Sequence, residues 1–380
     1  MRIVWQSNAL CSSAYWVETE LFVPRIAALG HEITIASPYT FTGTPLEWNG
    51  HTIFGAVRDT AGNDTILQNH EYTGADLTIV LADPFGLQKV AAGLKQINLA
   101  IWFPVDSDPL SEGDVTVLRE SQALPIAMSR FGERVLRGEG AETLYVPHAV
   151  DTSVFCPGDP RPWRDTVPQI GPDTFVVGLC AMNRDPQRKA FSEQMIAFAG
   201  FHARHPDSVL ALHTAPVNTP GLNLPGLAAR LGISGALAWP DSYSYDMNLI
   251  TREQMAAWYR GLDVLSLCSY GEGFGLPLIE AQACGIPVVT TNAASMTELC
   301  GAGWLVAPER TPFWSNGHGA WWQRPDATDI EQAYESAWQA RENGQMPNGP
   351  AREFAMLYDA DGVLEQFWKP ALDEIEARIS

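Results

Sequence analysis

Two glutamates in a glycine-rich stretch are the residues whose types and spacing are best suited to chemistry. Glu272 and Glu280 are separated by seven residues in the sequence EGFGLPLIE, which lies between the apolar runs 263–267 and 286–291. The two runs predict buried strands, and the turn and short helix between them complete a βαβ unit. Open α/β sheets bind ligands in the crevice at the carboxyl ends of their strands. The stretch therefore predicts a ligand site at the turn.

The helix after the turn is predicted to begin near Pro277, because proline is tolerated in a first helical turn. The unpaired backbone N–H groups of Leu276, Leu278 and Ile279 would then point towards an anion. Glu280 lies one turn further in, where its carboxylate can accept two hydroxyl protons from a sugar ring. A phosphate at the helix end, a diol at Glu280 and a second polyol at Glu272 describe a nucleotide sugar. The alternative is an ordinary βαβ unit with a helix-capping glycine loop.

The run EGFGLPLIEAQACGIPVVTT, residues 272–291, closely resembles the donor site of retaining glycosyltransferases with the GT-B fold, the family-4 group. The glycines, the proline, both glutamates and the following G-x-PVV occur in the family's order. The resemblance implies an α/β protein of GT-B type, with two Rossmann-like doubly wound domains facing a central cleft. It implies that Glu280 binds the ribose diol and that Glu272 holds the sugar hydroxyls. It also places a group of turn and helix residues at the donor: Gly273, Phe274, Gly275, Leu276 and Leu278.

Composition and charge exclude several classes of protein. The chain has 380 residues, of which 46% are apolar and 18% charged, as in an ordinary globular protein with room for two α/β domains. The formal net charge of −20 argues against a broad nucleic-acid or anionic-membrane footprint. No apolar run is long enough to cross a bilayer and the first residues lack a signal-peptide pattern, so we expect a cytoplasmic protein. The six cysteines form no CxxC pair, which favours reduced thiols over zinc or disulfides.

Strands alternating with helices in both halves predict parallel, doubly wound sheets. The family resemblance assigns residues 1–152 to an acceptor domain and 153–361 to the nucleotide-sugar donor domain. It also implies that a C-terminal helix at about 362–380 packs back on the first domain. The sequence PHAVDTSVFCP resembles the family's hinge, with Ala149 in place of the usual glycine.

Two cations follow the first apolar run of the second half. Arg184 and Lys189 lie in the sequence NRDPQRKAF, where the strand is predicted to end, and together they suit a diphosphate. Family members carry an arginine and a lysine here that contact the donor phosphates, usually followed by a glycine that is Ala190 in this chain. Arg188 is expected to be solvated. The alternative for Arg184 and Lys189 is a pair of surface charges.

The loop after the first strand departs from the family pattern. Family members usually carry a pair of glycines facing the donor diphosphate, and this chain has Ser12 and Ser13 there. Small residues still permit a close approach, and hydroxyls can donate to phosphate. The alternative is that both serines are candidate N-caps of the following helix.

The sequence Asp106-Ser107-Asp108 matches the short DxD metal motif of the other large glycosyltransferase fold. We reject a metal site there, because the rest of the chain fits the metal-independent fold. Asp106 and Asp108 follow a predicted strand, so they could face the acceptor or the donor sugar. The alternative is that they cap a helix over 110–120.

Aromatic residues in two loops are weaker candidates. Tyr243 and Tyr245, in DSYSYDMN, should border the nucleobase by their place in the fold, where a ring could stack on it. The alternative for both is a surface or packing role. The aromatic loop 312–325 is either an acceptor groove or a packing element between domains.

The resemblance implies transfer of a hexose from a UDP- or GDP-sugar to an acceptor hydroxyl with retention of configuration, without metal or cofactor. Arg184, Lys189 and Glu272 are the predicted catalytic residues. The acceptor is open among small molecules, glycans, lipid-linked glycans and proteins, and nucleic acid is disfavoured by the net charge of −20. Two alternatives remain: another enzyme on the same scaffold, such as a nucleotide-sugar epimerase or a sugar phosphorylase, and a non-catalytic nucleotide-sugar binding protein.

Overall fold

The computed structural model describes residues 1–11, 13–38, 43–56, 65–315 and 317–380. The chain divides into two compact units. Unit 1 comprises Met1–Ala149, Trp314–Trp321 and Ala360–Ser380, and unit 2 comprises Val150–Phe313 and Trp322–Asp359. Each unit is built around its own parallel sheet.

The strands of the described chain are short and mostly buried. They are β1 (Arg2–Ser7), β2 (Glu32–Ser37), β3 (Leu46–Trp48), β4 (His51–Gly55), β5 (Leu77–Leu81), β6 (Leu99–Phe103), β7 (Leu124–Ala127), β8 (Leu144–Tyr145), β9 (Phe175–Cys180), β10 (Ser208–His213), β11 (Leu237–Ala238), β12 (Val264–Leu267), β13 (Val288–Thr291), β14 (Gly303–Val306), β15 (Phe313–Ser315) and β16 (Ala320–Trp322). Every residue of β5, β6 and β12 is buried. Such continuous burial is typical of parallel strands covered on both faces.

Helices connect most of these strands. They are α1 (Ala14–Ala28), α2 (Ile66–Thr73), α3 (Ala91–Leu94), α4 (Glu112–Ser121), α5 (Arg130–Gly138), α6 (Arg161–Arg164), α7 (Phe191–Arg204), α8 (Leu224–Leu231), α9 (Ser242–Asp246), α10 (Arg252–Arg260), α11 (Leu276–Ala283), α12 (Met296–Leu299), α13 (Ala327–Glu342), α14 (Asn348–Ala355), α15 (Ala360–Val363) and α16 (Lys369–Ile379). A π-helical turn, Leu364–Trp368, joins α15 to α16.

The sheet of unit 1 has the order β3-β4-β2-β1-β5-β6-β7-β8 and is parallel except for the β3–β4 hairpin. Its core contains three fully buried tryptophans, Trp5, Trp102 and Trp368, whose rings lie 4.9–6.1 Å apart. The Trp102 indole donates a hydrogen bond to the carbonyl of Val146. Because Trp368 precedes α16, the C-terminal segment contributes to the core of unit 1.

The sheet of unit 2 has the order β11-β10-β9-β12-β13-β14, and its pairs are parallel. The chain starts at β9, moves outward through β10 and β11, and then returns to the other side of β9 as β12. The order therefore reverses between β9 and β12, and open α/β sheets bind ligands at such a switch point.

Most predicted elements of the central stretch are confirmed. The runs 263–267 and 286–291 contain β12 and β13, and α11 lies between them. The helix prediction for 110–120 is shifted, since α4 begins at Glu112. Two segments expected to be loops contain regular structure. Residues 242–246 form α9 because the Asp241 side chain accepts the N–H of Ser244, and the segment 312–325 contains the β15–β16 hairpin.

Candidate functional site

The switch point of unit 2 brings together two loops that are far apart in sequence. β9 and β12 pair in parallel, with Val264 opposite Val177. The loop after β9 carries the predicted cations, and the loop after β12 carries Glu272. A backbone hydrogen bond of 2.8 Å, from the Tyr270 N–H to the Arg188 carbonyl, joins the two loops. The sheet order therefore positions both motifs at one edge.

Glu272 is the centre of a buried ion-pair cluster. Its side chain is 8% exposed, and its Oε1 atom lies 2.5 Å from Nζ of Lys189. The Arg188 guanidinium lies 3.4 Å from Oε2, and the Ser269 hydroxyl donates to Oε1 at 2.6 Å. Burial by itself would raise the pKa of Glu272, but Lys189 and Arg188 hold that pKa below its ordinary value. Glu272 is therefore ionised, with both oxygens engaged.

Arg188 is the residue that sequence reasoning placed wrongly. Its side chain is 26% exposed and donates to the carbonyl of Gly271 as well as contacting Glu272. The reason is a local turn, in which Asp185 accepts the N–H groups of Gln187 and Arg188 and the chain curls back towards β12. A charged residue in a polar loop gives no sequence signal for this pairing.

The other predicted cations behave differently from each other. Lys189 contacts Glu272, as described, and its carbonyl accepts a hydrogen bond from Gln194. Arg184 is exposed, and no ion pair joins it to a carboxylate in the described part of the chain. Ala190, where the family usually has glycine, has a left-handed φ of 48°. That conformation costs an alanine about 1 kcal/mol, which explains a preference for glycine there.

The turn before α11 depends on Gly275. This residue is the N-cap of α11 and has a φ of 110°, which side-chain-bearing residues rarely adopt. Ser295, on a separate segment, stabilises the turn. Its hydroxyl lies within hydrogen-bonding distance of two acceptors, the carbonyls of Glu272 and Phe274, at 2.8 and 2.5 Å. Sequence reasoning missed Ser295, since a serine on a separate loop carries no local signal.

One expectation about the helix N-terminus is corrected. The N–H of Leu278 donates to the carbonyl of Gly275 at 2.9 Å, so it is not available to an anion. The bond closes a tight turn at the start of the helix, where i→i+3 pairing is common. The backbone of Gly273, Phe274 and Leu276 lies at the same turn, and the Phe274 ring is buried against Tyr358.

Glu280 lies one turn into α11 and is half-buried. Its Oε2 atom accepts a hydrogen bond of 2.7 Å from the hydroxyl of Tyr259, in the last turn of α10. Burial raises the pKa of Glu280, and the Tyr259 bond opposes that rise. Tyr259 was not predicted from the sequence, because its contact with Glu280 joins two helices.

The remaining candidates in unit 1 that the structure describes lie in the segments that follow β1 and β6. Ser13 is the N-cap of α1, accepting the N–H of Trp16 at 3.1 Å, and Ser12 lies outside the described residues. Asp106 is half-buried and Asp108 is exposed. The alternative that these aspartates cap the helix over 110–120 is wrong.

Ser111 caps α4 in their place, because its hydroxyl accepts the N–H of Asp114 at 3.1 Å.

The two candidate nucleobase tyrosines have different environments in α9. Tyr243 is 67% exposed. Tyr245 is half-buried, and its ring centroid lies 5.4 Å from that of His213. Burial raises the pKa of Tyr245. The Tyr243 ring is therefore exposed to solvent, whereas the Tyr245 ring packs within unit 2.

Three further observations concern the described residues as a whole. No group of three or more His, Cys, Asp or Glu side chains among them is arranged to hold a metal ion. The six cysteines are free thiols. Within the described ranges, no helix has the length and apolar character that a membrane span requires.

Solved structures with the same fold define the class of protein. Sucrose-phosphate synthase from Thermosynechococcus elongatus aligns over 99% of both chains with a TM-score of 0.77 at 17% identity. HepE of Anabaena, solved in complex with UDP-glucose, covers 98% of this chain and 100% of its own with a TM-score of 0.72 at 16% identity. Likeness at this level of identity establishes the fold alone. This is a GT-B protein with two Rossmann-like α/β domains.

Sequence comparison places the chain in a family. The model described as "Glycosyl transferases group 1" matches residues 246–315, which contain the Glu272–Glu280 stretch. A D-inositol 3-phosphate glycosyltransferase from Actinosynnema mirum is 31% identical over 355 residues, covering 83% of this chain and 82% of the relative. The chain belongs to the group 1 glycosyl transferases.

Other relatives of the same name match over shorter spans. The protein from Stackebrandtia nassauensis is 26% identical over 66% of this chain and 58% of its own length. The protein from Catenulispora acidiphila is 35% identical over 52% of this chain and 47% of its own length. The chain thus spans about half of the length of these relatives.

Proposed function

We propose that this chain is a retaining glycosyltransferase that moves a hexose from a UDP- or GDP-sugar to an acceptor hydroxyl, without metal or organic cofactor. The observation that carries the proposal is the cluster of Lys189, Arg188 and Glu272 at the β9–β12 switch point, beside the start of α11. A cation cluster in a chain of net charge −20 favours a strongly anionic ligand at that point. A diphosphate fits this chemistry.

Lys189 and Glu272 would act together on the donor. An ammonium group carries three N–H donors, so Lys189 can bind a phosphate oxygen while it keeps its bond to Glu272. A carboxylate has about four lone-pair sites, so Glu272 can also accept hydroxyl protons of the sugar while it keeps its bonds to Lys189, Arg188 and Ser269. Arg184, exposed on the same loop, would add a second charge to the leaving group.

The engagement of Glu272 bears on the route by which configuration would be retained. With Lys189, Arg188 and Ser269 on its oxygens, Glu272 is a poor nucleophile for a covalent glycosyl intermediate. In the alternative, the bond from the anomeric carbon to the diphosphate oxygen breaks and the acceptor oxygen attacks the same face. The acceptor proton passes to the departing phosphate, and configuration is retained.

The relatives suggest the first substrates to test. HepE was solved with UDP-glucose, and the aligned relatives are named D-inositol 3-phosphate glycosyltransferases. UDP-sugars and inositol phosphates are therefore the leading donor and acceptor candidates, with GDP-sugars and other polyols next. Glu280 would bind the ribose diol of either nucleotide.

Thermal unfolding with nucleotide sugars tests the donor site. A ligand that binds only the folded state raises the melting temperature. We expect a shift with UDP- or GDP-sugars and none with ADP- or TDP-sugars, equal in EDTA and in magnesium. A shift that requires magnesium would contradict metal independence, and no shift with any nucleotide sugar would contradict the donor site.

Product analysis tests the reaction itself. We expect release of the nucleoside diphosphate only when an acceptor is added, and NMR of the glycoside should give the donor's anomeric configuration. Inversion would contradict the proposed mechanism. Conversion of the donor sugar without an acceptor would identify an epimerase instead.

A further inference from the structure

We propose that Tyr259 is a positioning residue that aims Glu280 at the ribose diol, so that the site distinguishes ribonucleotides from 2′-deoxyribonucleotides. This inference rests on the proposed function, since it needs a nucleotide at Glu280. Tyr259 would not touch the donor. It would act by holding the carboxylate that does.

The Tyr259 side chain is firmly held. It is fully buried in the last turn of α10, with its ring centroid 5.0 Å from that of Trp258 and 6.0 Å from that of Phe155. The adjacent Arg260 side chain donates to the carbonyls of Val154 and Cys156 at 2.8 and 2.7 Å, which anchors the end of the helix. The phenol hydroxyl therefore has a defined position from which it donates to Glu280.

The protonation state of the phenol sets the direction of this hydrogen bond. Burial raises the pKa of Tyr259 well above its ordinary value, so the phenol keeps its proton. The hydroxyl is therefore the donor, and Oε2 of Glu280 accepts at 2.7 Å. Helices α10 and α11 thus meet at one carboxylate oxygen.

This arrangement prepares Glu280 to accept hydroxyl protons. In the part of the chain that the structure describes, the Tyr259 hydroxyl is the one side-chain donor to the Glu280 carboxylate. A carboxylate has about four lone-pair sites, so capacity remains for two ribose hydroxyls. A 2′-deoxyribose supplies one hydroxyl fewer and leaves a half-buried acceptor unpaired. Sites of this kind discriminate strongly against the ligand that lacks the group.

Removal of the Tyr259 hydroxyl should therefore weaken ribonucleotides selectively. In Tyr259→Phe the ring still fills its site, but Glu280 loses both its orientation and a bond that favours its ionised form. We expect UDP or GDP to bind about tenfold more weakly, as for loss of a hydrogen bond to a charged group, while dUDP or dGDP changes little. The ratio of the two affinities should fall by the same factor.

The pH dependence provides a second readout. Only ionised Glu280 accepts both hydroxyls. The Tyr259 bond lowers the Glu280 pKa against burial, so its loss raises that pKa further. The loss of ribonucleotide binding as pH falls should therefore begin at higher pH in Tyr259→Phe than in the wild type, and a merely structural defect would not move it.

Calorimetric titration of UDP, dUDP, GDP and dGDP into the wild-type chain and its variants tests the inference. Tyr334→Phe is the matched control, because Tyr334 is equally buried in unit 2 and donates to the Ser266 hydroxyl at 2.8 Å. The control should keep the wild-type ratio of ribonucleotide to deoxyribonucleotide affinity. A Tyr259→Phe protein that also keeps this ratio would overturn the inference.

Two further variants, Glu280→Gln and the double variant Tyr259→Phe/Glu280→Gln, complete the test. Glu280→Gln keeps the inference testable if the Tyr259→Phe protein folds poorly. If Tyr259 acts through Glu280, Glu280→Gln alone should abolish the discrimination, and the second substitution should reduce it no further. Additive losses would overturn the positioning role. A wild-type chain that binds no nucleotide defeats the proposed function, whereas one that binds all four equally defeats only the role of Glu280 and Tyr259.

Discussion

The two sheets present opposite charges at the carboxyl ends of their strands. In unit 2 the loop after β9 carries Arg188 and Lys189, and both cations pair with Glu272 at the β9–β12 junction. Lys189 is 14% exposed there, so the pair is shielded from water. This edge is arranged for an anion.

In unit 1 the corresponding segments carry carboxylates. Asp83 follows β5 and Asp106 follows β6, and after burial itself their charges help to raise the pKa of Asp114 to about 6. Two doubly wound sheets thus carry opposite charges at the same edge. The fold supplies the edge, and the loop residues decide which ligands it suits.

The largest expected effect comes from removing the cation of unit 2. Lys189→Ala removes one of the two counter-charges that the described residues place on the buried Glu272 carboxylate, and it removes the charge proposed to stabilise the leaving diphosphate. We expect a loss of at least about a hundredfold in kcat/KM and about 3 kcal/mol of stability. Nucleotide release assays and urea unfolding measure the two effects.

Arg204→Ala is the control for that experiment. Arg204 is also in unit 2, but its side chain is 49% exposed and it pairs with Glu331. An exposed pair of this kind contributes about 1 kcal/mol or less. If the Lys189→Ala and Arg204→Ala proteins have equal activity, the cations at the unit 2 edge have no role beyond that of exposed surface charges, which would contradict the proposal.

The second effect concerns the turn that shapes the unit 2 edge. Gly275→Ala places a side chain at a φ of 110° and brings its Cβ to 3.3 Å from Cδ1 of Leu278. We expect a loss of about 1–2 kcal/mol in the free energy of unfolding. Gly138→Ala in α5 of unit 1 is the control, since its Cβ meets nothing within 4 Å, and it should be neutral or slightly stabilising. Equal free energies of unfolding for the two variants in chemical denaturation would contradict backbone strain at position 275.

The smallest effect should appear at the unit 1 edge as a dependence on pH. Because the folded-state pKa of Asp114 is raised to about 6 from 3.8, the charged carboxylate disfavours folding. Its cost is absent below pH 3.8, grows as pH rises towards 6 and is complete above it. A rise of about two pKa units corresponds to about 3 kcal/mol. Solvent screens part of this cost at the half-buried carboxyl group, so Asp114→Asn should gain about 1 kcal/mol over the wild type at pH 8 and little at pH 4.

Melting curves at both pH values measure this difference. Asp108→Asn is the control, because Asp108 is exposed and should show no such dependence. A gain in Asp114→Asn that is the same at pH 4 and pH 8 would contradict electrostatic crowding at the unit 1 edge.

Local patterns predicted the elements of the central stretch well. The apolar runs that contain β12 and β13 and the glycines at 275 and 285 mark where strands and helix begin and end, and both glycines have positive φ. Such signals are local, because backbone conformation and strand burial depend on neighbouring residues. The same signals did not predict the helix at residues 242–246. This helix has no apolar pattern, and it is capped by a hydrogen bond from the Ser244 N–H to the Asp241 side chain.

The site could be predicted only in part. Glu272, Lys189 and Glu280 were found from their spacing and from a family resemblance, and the structure joins the first two in one ion pair. Arg188 was expected to be solvated, and Tyr259 was not predicted at all. Their partners lie 84 and 21 residues away in sequence, so no periodicity or local motif reports those contacts.

By itself the sequence determined which segments become buried strands, where glycine permits the turn into α11, and that a cationic loop and a glutamate pair exist in an acidic chain. The tertiary structure decided which two cations contact Glu272 and which hydroxyl donates to Glu280. The physical reason is the order of the unit 2 sheet, which returns β12 to the side of β9 and so brings into hydrogen-bonding distance side chains that the chain itself keeps apart.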